Sequence, residues 1–528
     1  MQIHYKLGAY YASGDGHDPV VMRKHGWLRI KDGGYRTARV ERVAPFVDFC
    51  VGEAQQRVRA FVDARREAIA DSVLPTADFP IPVGARALAD GKDFRDYQRP
   101  AVRFQFDRVM SLNGDIPRAG KSVTSIGCTN LIESRALKRV LIVTPANAKI
   151  GWCKHWRDWS VHFPDDVDYV EGSANPKSPC LVVNWDVLAR HAAYLRGVEW
   201  DVIIPDEMHR LAHANSQRTR TLLGAPIGRG SLRASKWLFL SGNPIGTRPR
   251  NLFPFLRFVD PHGLGRKEWS FWQRYCDLKF DGFGWNADGA SNMEELQFEM
   301  RKKFMIRREK DEIGVFIPPA RETVKLPAAG LSKLIKAERS AVQGNLEEFE
   351  RLLGAAAGKS MGPVIPTAVQ DLALAALPMM VKFIKEQMEL EPKVVVFAYH
   401  RAVMEQLKSA FPEAAYVIGG LSTTQREAER LRFQEDSACR VFIGNIAACA
   451  ENMELSAADV AIFCELSWQH WQVDQCEERI WLPTKTAPLQ IFKLVVEGSA
   501  SADMAGLIEQ MQDSVDRITS AKRLTTAS

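Results

Sequence analysis

Two series of short, uninterrupted apolar runs, separated by helical stretches, constrain this chain more than any other feature. The first comprises Arg139-Val-Leu-Ile-Val-Thr144, Cys180-Leu-Val-Val183, Trp200-Asp-Val-Ile-Ile204 and Lys236-Trp-Leu-Phe-Leu240. The second comprises Lys393-Val-Val-Val-Phe397, Ala415-Tyr-Val-Ile418, Arg440-Val-Phe-Ile443, Asp459-Val-Ala-Ile-Phe463 and Gln490-Ile-Phe-Lys-Leu-Val-Val496. A strand with one face in water alternates apolar and polar residues. A continuous run needs cover on both faces, which means a parallel sheet flanked by helices. The pattern predicts an α/β protein with two parallel-sheet lobes and a cleft between them.

At 528 residues the chain is too long for one core. Composition shifts divide it into four expected parts. Residues 1–90 are expected as a small N-terminal accessory domain and a candidate DNA-binding unit, with short mixed segments and a helical pattern over 45–72. Residues 91–328 form the first lobe, 329–390 a strand-poor helical insertion, and 391–528 the second lobe. The segment 74–92, with three prolines and several small residues, reads as a linker.

Bulk properties exclude some classes. No apolar stretch reaches the length of a membrane span, and the N-terminus lacks the apolar core of a signal peptide. The nine cysteines contain no Cys-x-x-Cys pair, so neither a zinc site nor a disulfide framework is expected. A reducing cytoplasm fits this usage, and the compact chain suits a bacterial or bacteriophage-infected cell. The net charge of +6 is unevenly spread, with Arg301-Lys-Lys303, Arg307-Arg308 and Lys310 crowded together. Such a cluster is either a phosphate-tracking surface or a solvated helix face.

Two segments carry chemistry. Gly114-Asp-Ile-Pro-Arg-Ala-Gly-Lys-Ser122 ends like a phosphate-binding loop. Backbone N–H groups opening a helix form an anion nest there. Lys121 adds a charge on the outer phosphates, and the hydroxyl of Ser122 can hold Mg²⁺. In Pro205-Asp-Glu-Met-His209, the run before it would deliver Asp206 and Glu207 to the C-terminal end of a strand, where α/β sheets bind ligands. Asp206 is then expected in the Mg²⁺ shell, and Glu207 as the base that orients water. A second candidate loop, Gly354-Ala-Ala-Ala-Gly-Lys-Ser360, is one residue short and has no strand before it.

In this order and spacing the segments resemble the Swi/Snf-type superfamily-two helicase-like DNA translocases, whose two lobes are RecA-like. Phe94-Arg-Asp-Tyr-Gln98 resembles the family's leading segment, in which the glutamine reads adenine. Asp115-Ile-Pro-Arg-Ala-Gly-Lys-Ser122 is similar to Asp-Glu-x-Gly-x-Gly-Lys-Thr. The resemblance therefore implies ATP contacts at Gln98, Asp115, Arg118, Ala119, Gly120, Lys121 and Ser122. Val143-Thr-Pro-Ala146 with Trp152 resembles a motif that touches the DNA backbone, and Ser241-Gly-Asn-Pro244 one that couples hydrolysis to motion. Arg307 and Arg308 match a double-arginine segment closing the first lobe, and Gln475-Cys-Glu-Glu-Arg479 the last motif of the second. Thr144, Trp152, His209, Ser241, Arg307, Arg308 and Gln475 are thus expected in coupling or DNA contact, and Arg479 in catalysis. Gly26-Trp27 with Tyr35 faintly resembles the small domain that precedes the motor in annealing helicases, although both aromatics better suit a plain core.

The departures are as informative. Arg118 replaces a loop glycine, and the family's second arginine of the last motif is Leu482 here, so either Arg479 or Lys485 substitutes, or hydrolysis is slow, or the chain needs a partner. The resemblance implies ATP and Mg²⁺ as cofactors and duplex or branched DNA, bound without sequence preference, as partner. The expected activity is a DNA-dependent ATPase that translocates on DNA. The alternatives are a catalytically weakened, ATP-switched DNA-binding scaffold or a strand-separating helicase.

Overall fold

The computed structural model describes residues 1–13, 22, 27–30, 34–37, 40, 43–73, 80–174, 176–244, 248–280, 284–309, 312–313, 317, 319–341, 367–449, 453–467 and 470–506. In chain order the strands are β1 (Gln2–Lys6), β2 (Ala9–Ser13), β3 (Leu28–Arg29), β4 (Tyr35–Thr37), β5 (Met110–Asn113), β6 (Val140–Thr144), β7 (Val167–Tyr169), β8 (Cys180–Asn184), β9 (Glu199–Pro205) and β10 (Arg233–Leu240). They continue with β11 (Lys279–Phe280), β12 (Trp285–Asn286), β13 (Met305–Ile306), β14 (Ala320–Leu326), β15 (Val394–Ala398), β16 (Ala415–Val417), β17 (Val441–Asn445), β18 (Val460–Phe463) and β19 (Gln490–Val496).

Both predicted sheets are present and parallel throughout. The first has seven strands in the order β13-β5-β10-β9-β6-β8-β7, and the second has six in the order β14-β19-β18-β15-β17-β16. β6, β8, β15 and β18 are buried at every position, as strands covered on both faces must be. Separate apolar clusters lie on the two faces of each sheet. Leu141, Val143 and Phe239 belong to one side of the first sheet, and Val140, Ile142 and Leu240 to the other.

One boundary moves. β14 falls inside the expected first lobe, yet it pairs in parallel with β19 along its whole length, from Ala320↔Gln490 to Leu326↔Val496. Its alternating Ala-Arg-Glu-Thr-Val-Lys-Leu suits a sheet edge, and it edges the second sheet. The crossover between lobes therefore lies before 320. The described part of 329–390 is helical, while the second candidate loop at 354–360 lies outside the described residues.

The helix Thr367–Leu390, with 24 residues, corrects the expectation about apolar stretches: it is long and apolar enough to cross a membrane by length and composition. Here Leu372, Ala376, Met380 and Ile384, each four apart, face the second sheet in one cluster with Val394, Val396 and Ile462.

The N-terminal region is a four-stranded antiparallel sheet, β1-β2-β4-β3, backed by the helix Glu53–Val73. Trp27 and Tyr35 are buried in its core with Ile3, Tyr10 and Val58, so both serve packing. The unit docks on the first lobe, where Phe61 meets Phe298 with ring centroids 5.9 Å apart.

Candidate nucleotide site

Five loops meet at the C-terminal edge of the first sheet: those leaving β5, β6, β9, β10 and β13. The loop after β5 carries 114–120 and enters the helix Lys121–Asn130 through Gly120, whose φ of 80° is left-handed. A side chain at Gly120 would collide with Gln98, because an added Cβ would lie 2.3 Å from its Nε2. Further along, the helix approaches Phe94 and Val102 so closely that only Gly127 fits.

Gln98 is buried and braces the loop. Its Nε2 donates to Ala119 O at 3.2 Å, and its Oε1 accepts from Arg95 N at 3.0 Å. Asp115, expected among the ATP contacts, belongs instead to a buried ion pair. Arg308 N and Nε both donate to Asp115 Oδ1, at 2.9 and 3.0 Å, and a terminal Arg308 nitrogen bonds Oδ2. Both residues are almost fully buried. Arg308 thus ties the phosphate loop to the end of β13 and is out of reach of DNA.

The neighbouring basic cluster is largely consumed as well. Arg307 bonds Glu309, Gly114 O and Gly242 O, and Lys303 bonds Asp260. Lys310 lies outside the described residues.

β9 delivers Asp206 and Glu207 to the same edge. Asp206 Oδ2 accepts from Thr144 Oγ1 at 2.9 Å and from Trp152 Nε1 at 2.8 Å. Both donors are buried, so they orient the carboxylate and do not touch a DNA backbone. Trp185, which the sequence reading passed over, donates its Nε1 to Asp206 O at 2.9 Å. An indole placed just beyond a buried strand was the available signal. Burial, reinforced by the charge of Glu207, raises the Asp206 carboxyl to about 6.

Glu207 adopts a left-handed backbone, with φ 55°. Burial pushes its carboxyl up, but the His209 contact and the charges of Lys121 and Arg479 outweigh this and hold it below the ordinary value. His209 Nδ1 lies 3.2 Å from Glu207 Oε2 and 3.4 Å from Ser241 Oγ, linking the β9 and β10 loops. Lys121 Nζ donates to the loop carbonyls of Asp115 at 2.9 Å and Ile116 at 3.1 Å. Burial lowers its pKa against the opposing charges of Glu207, Asp115 and Asp206.

Arg479 faces this site from the helix His470–Ile480, and its Nε donates to Gln475 O at 2.9 Å. Gln475 Oε1 is buried without a hydrogen bond. Lys485 is excluded as a substitute finger, since its Nζ bonds Ala458 O and Asp459 Oδ1 at 2.6 and 2.5 Å.

Arg118 crosses between lobes. A terminal nitrogen donates to Met453 O at 2.6 Å and to Arg479 O at 3.1 Å, and another lies 3.6 Å from Glu454 Oε2. Its φ of 68° is the left-handed conformation that favours glycine, which is costly for arginine. Burial, and then the nearby Arg479 charge, lower its pKa to about 10. Ile116 and Ala119 pack into the second lobe's core around it.

A phosphate-loop helix facing paired carboxylates on a parallel sheet, with an arginine supplied by a helix of the second lobe, defines the class of two-lobed, helicase-like nucleotide-binding proteins. Within that class, residues 97–332 match the model of the SNF2-related domain. The chain is 26% identical over 389 residues to the Drosophila melanogaster SWI/SNF-related matrix-associated actin-dependent regulator of chromatin subfamily A-like protein 1, covering 72% of this chain and 50% of that protein. It is 26% identical over 416 residues to the human DNA annealing helicase and endonuclease ZRANB3, covering 74% and 37% respectively. The chain thus spans half the length or less of these relatives. Among solved structures, the Sulfolobus solfataricus SWI2/SNF2 ATPase core in complex with dsDNA is similar with a TM-score of 0.39 and 16% identity, covering 79% of this chain and 91% of that one.

Proposed function

We propose that this chain is a DNA-dependent ATPase that moves along or remodels duplex or branched DNA. The observation that carries the proposal is the convergence of Lys121, Asp206 and Glu207 at one sheet edge, close enough for their charges to act on one another's titration. The N–H groups at the start of the helix Lys121–Asn130, with Lys121, suit the phosphates of ATP. The donor set also fits Mg²⁺. Ser122 offers a hydroxyl, and both described hydrogen bonds to the Asp206 carboxylate fall on Oδ2, leaving Oδ1 for a cation. A bound Mg²⁺ would neutralise phosphate charge there.

Glu207, kept ionised, accepts a proton from and orients the attacking water, with His209 fixing its carboxylate. The chain His209–Ser241 is a route by which the state of Glu207 reaches the β10 loop. Arg479 supplies charge from the second lobe, so lobe closure and phosphate chemistry are coupled. Contacts to DNA would be mostly to phosphates, hence salt-sensitive and sequence-tolerant.

ATP turnover measured with and without double-stranded DNA tests this. Stimulation by DNA and loss in Lys121→Ala are expected; DNA-independent turnover, or an unimpaired Lys121→Ala, sinks the proposal. A second reading, an ATP-switched DNA-binding scaffold, draws support from Leu482 and from the bonds that engage Arg118 across the cleft. Nucleotide binding without turnover, unchanged by Glu207→Gln, would select it. A strand-displacement assay on tailed duplexes separates translocation from unwinding.

A further inference from the structure

Between β10 and β13 the first lobe carries an aromatic corner that the nucleotide chemistry does not use. The helix Glu268–Tyr275 presents Trp269 and Trp272 on one side, and the β11–β12 hairpin presents Phe280 and Trp285. Trp269, Phe280 and Trp285 are 43%, 59% and 57% exposed, a heavy cost in water for three such large rings in contact. Trp269 and Trp285 meet at 5.2 Å and 85°, and Phe280 and Trp285 at 5.5 Å and 64°. Edge-to-face contacts of this kind fix the rings while leaving faces open.

The surroundings carry both signs, with carboxylates at Glu268 and Asp277 and, among the described residues, unpaired cations next to Trp269. Exposed Arg266 and Lys267 precede Trp269, and Lys279, paired with Asp277 at 2.6 Å, precedes Phe280. The corner is also braced to the nucleotide site. Asp288, just past the hairpin, bonds Arg248 and Arg250 at 3.3 and 2.9 Å, and these arginines follow the β10 loop. That loop contacts Arg307 through Gly242 O and His209 through Ser241.

We propose that Trp269, Phe280 and Trp285 form a stacking platform for unpaired bases, with Arg266 and Lys267 on the adjoining phosphates. Open ring faces flanked by cations fit a single-stranded nucleic acid, because every base has a face to stack and every linkage a negative charge. A fully paired duplex hides those faces. The corner therefore selects DNA with an opened or single-stranded arm, and it reports its occupancy through Asp288 to the loop beside Glu207. This inference rests on the proposed DNA-dependent ATPase function and names the DNA structure that function would favour.

The test compares the full chain with a Trp269→Ala/Trp285→Ala double variant on two DNAs of equal length: a paired duplex and a fork with unpaired arms. Affinity for the fork should fall by about tenfold or more. Duplex affinity and duplex-stimulated ATP turnover should stay within about twofold, and a single-stranded oligonucleotide should quench less tryptophan fluorescence than in the parent. Unchanged fork affinity overturns the inference, as does an equal loss on both DNAs. So does a variant that binds both DNAs normally but has lost a self-association seen by sedimentation, which would assign the rings to a protein contact. If no DNA stimulates the parent, the ATPase proposal fails, while the oligonucleotide quench still decides whether the platform binds bases. A Trp285→Phe variant that restores fork affinity would separate ring stacking from a folding defect.

Discussion

The two halves of the cleft are built to different standards. On the first lobe every acidic group is held in place: Asp206 by Thr144 and Trp152, Glu207 by His209, and Asp115 by Arg308. On the second lobe, among the described residues, the Arg479 side chain bonds its own helix at Gln475 O, Gln475 Oε1 has no hydrogen bond, Leu482 offers no charge, and Lys485 is engaged elsewhere. Arg118 spans this asymmetry, spending its hydrogen bonds on second-lobe carbonyls. Under the proposed function, the contrast teaches that nucleotide binding would rest on one lobe, while the charge that sets the rate would depend on how the second lobe meets it.

The largest expected effect breaks the first half. Glu207→Gln should lower DNA-stimulated ATP turnover by about 10²–10⁴-fold while sparing nucleotide binding; turnover near the parental rate would remove Glu207 from the chemistry. Next, Arg308→Met should cost about 3–5 kcal/mol in chemical denaturation, because it strands the buried Asp115 carboxylate. A near-neutral result would mean Asp115 is held by other means.

Asp206→Asn probes the same half through pH. Folding raises this carboxyl from 3.8 to about 6, so the stability it contributes is complete below about pH 4 and is lost as pH climbs through 6. The amide can still accept from Thr144 and Trp152. The variant should therefore be more stable than the parent above pH 6, by on the order of 2 kcal/mol, and not below pH 4. Melting temperatures across that range decide the matter.

The smallest effect sharpens the second half. Arg118→Gly relieves a left-handed arginine and frees the carbonyls of Met453 and Arg479, so the KM for ATP should fall several-fold, on the order of 1 kcal/mol. A collapse of kcat to the level of Lys121→Ala would instead make Arg118 a finger acting within its own loop.

The sheets were legible because burial on both faces leaves an unbroken apolar signature, as in β6 and β15. β5, β7 and β13 escaped notice because they are short, and β14 because an edge strand keeps polar positions. Lys121, Asp206 and Glu207 were legible because their chemistry sits in contiguous segments. The roles of Thr144, Trp152, Asp115 and Arg308 were not. Their partners come from loops brought together only by strand order, so a segment assigned to DNA turned out to orient a carboxylate.

The pairing of β14 with β19 also governs how the protein can be made and divided. During synthesis β14 must wait until β19, the last described strand, leaves the ribosome before its hydrogen bonds can form. A fragment begun at residue 329 would leave β19 as a bare edge, inviting pairing with other chains. A soluble second lobe should therefore be cut before residue 320, within the segment that crosses between the lobes.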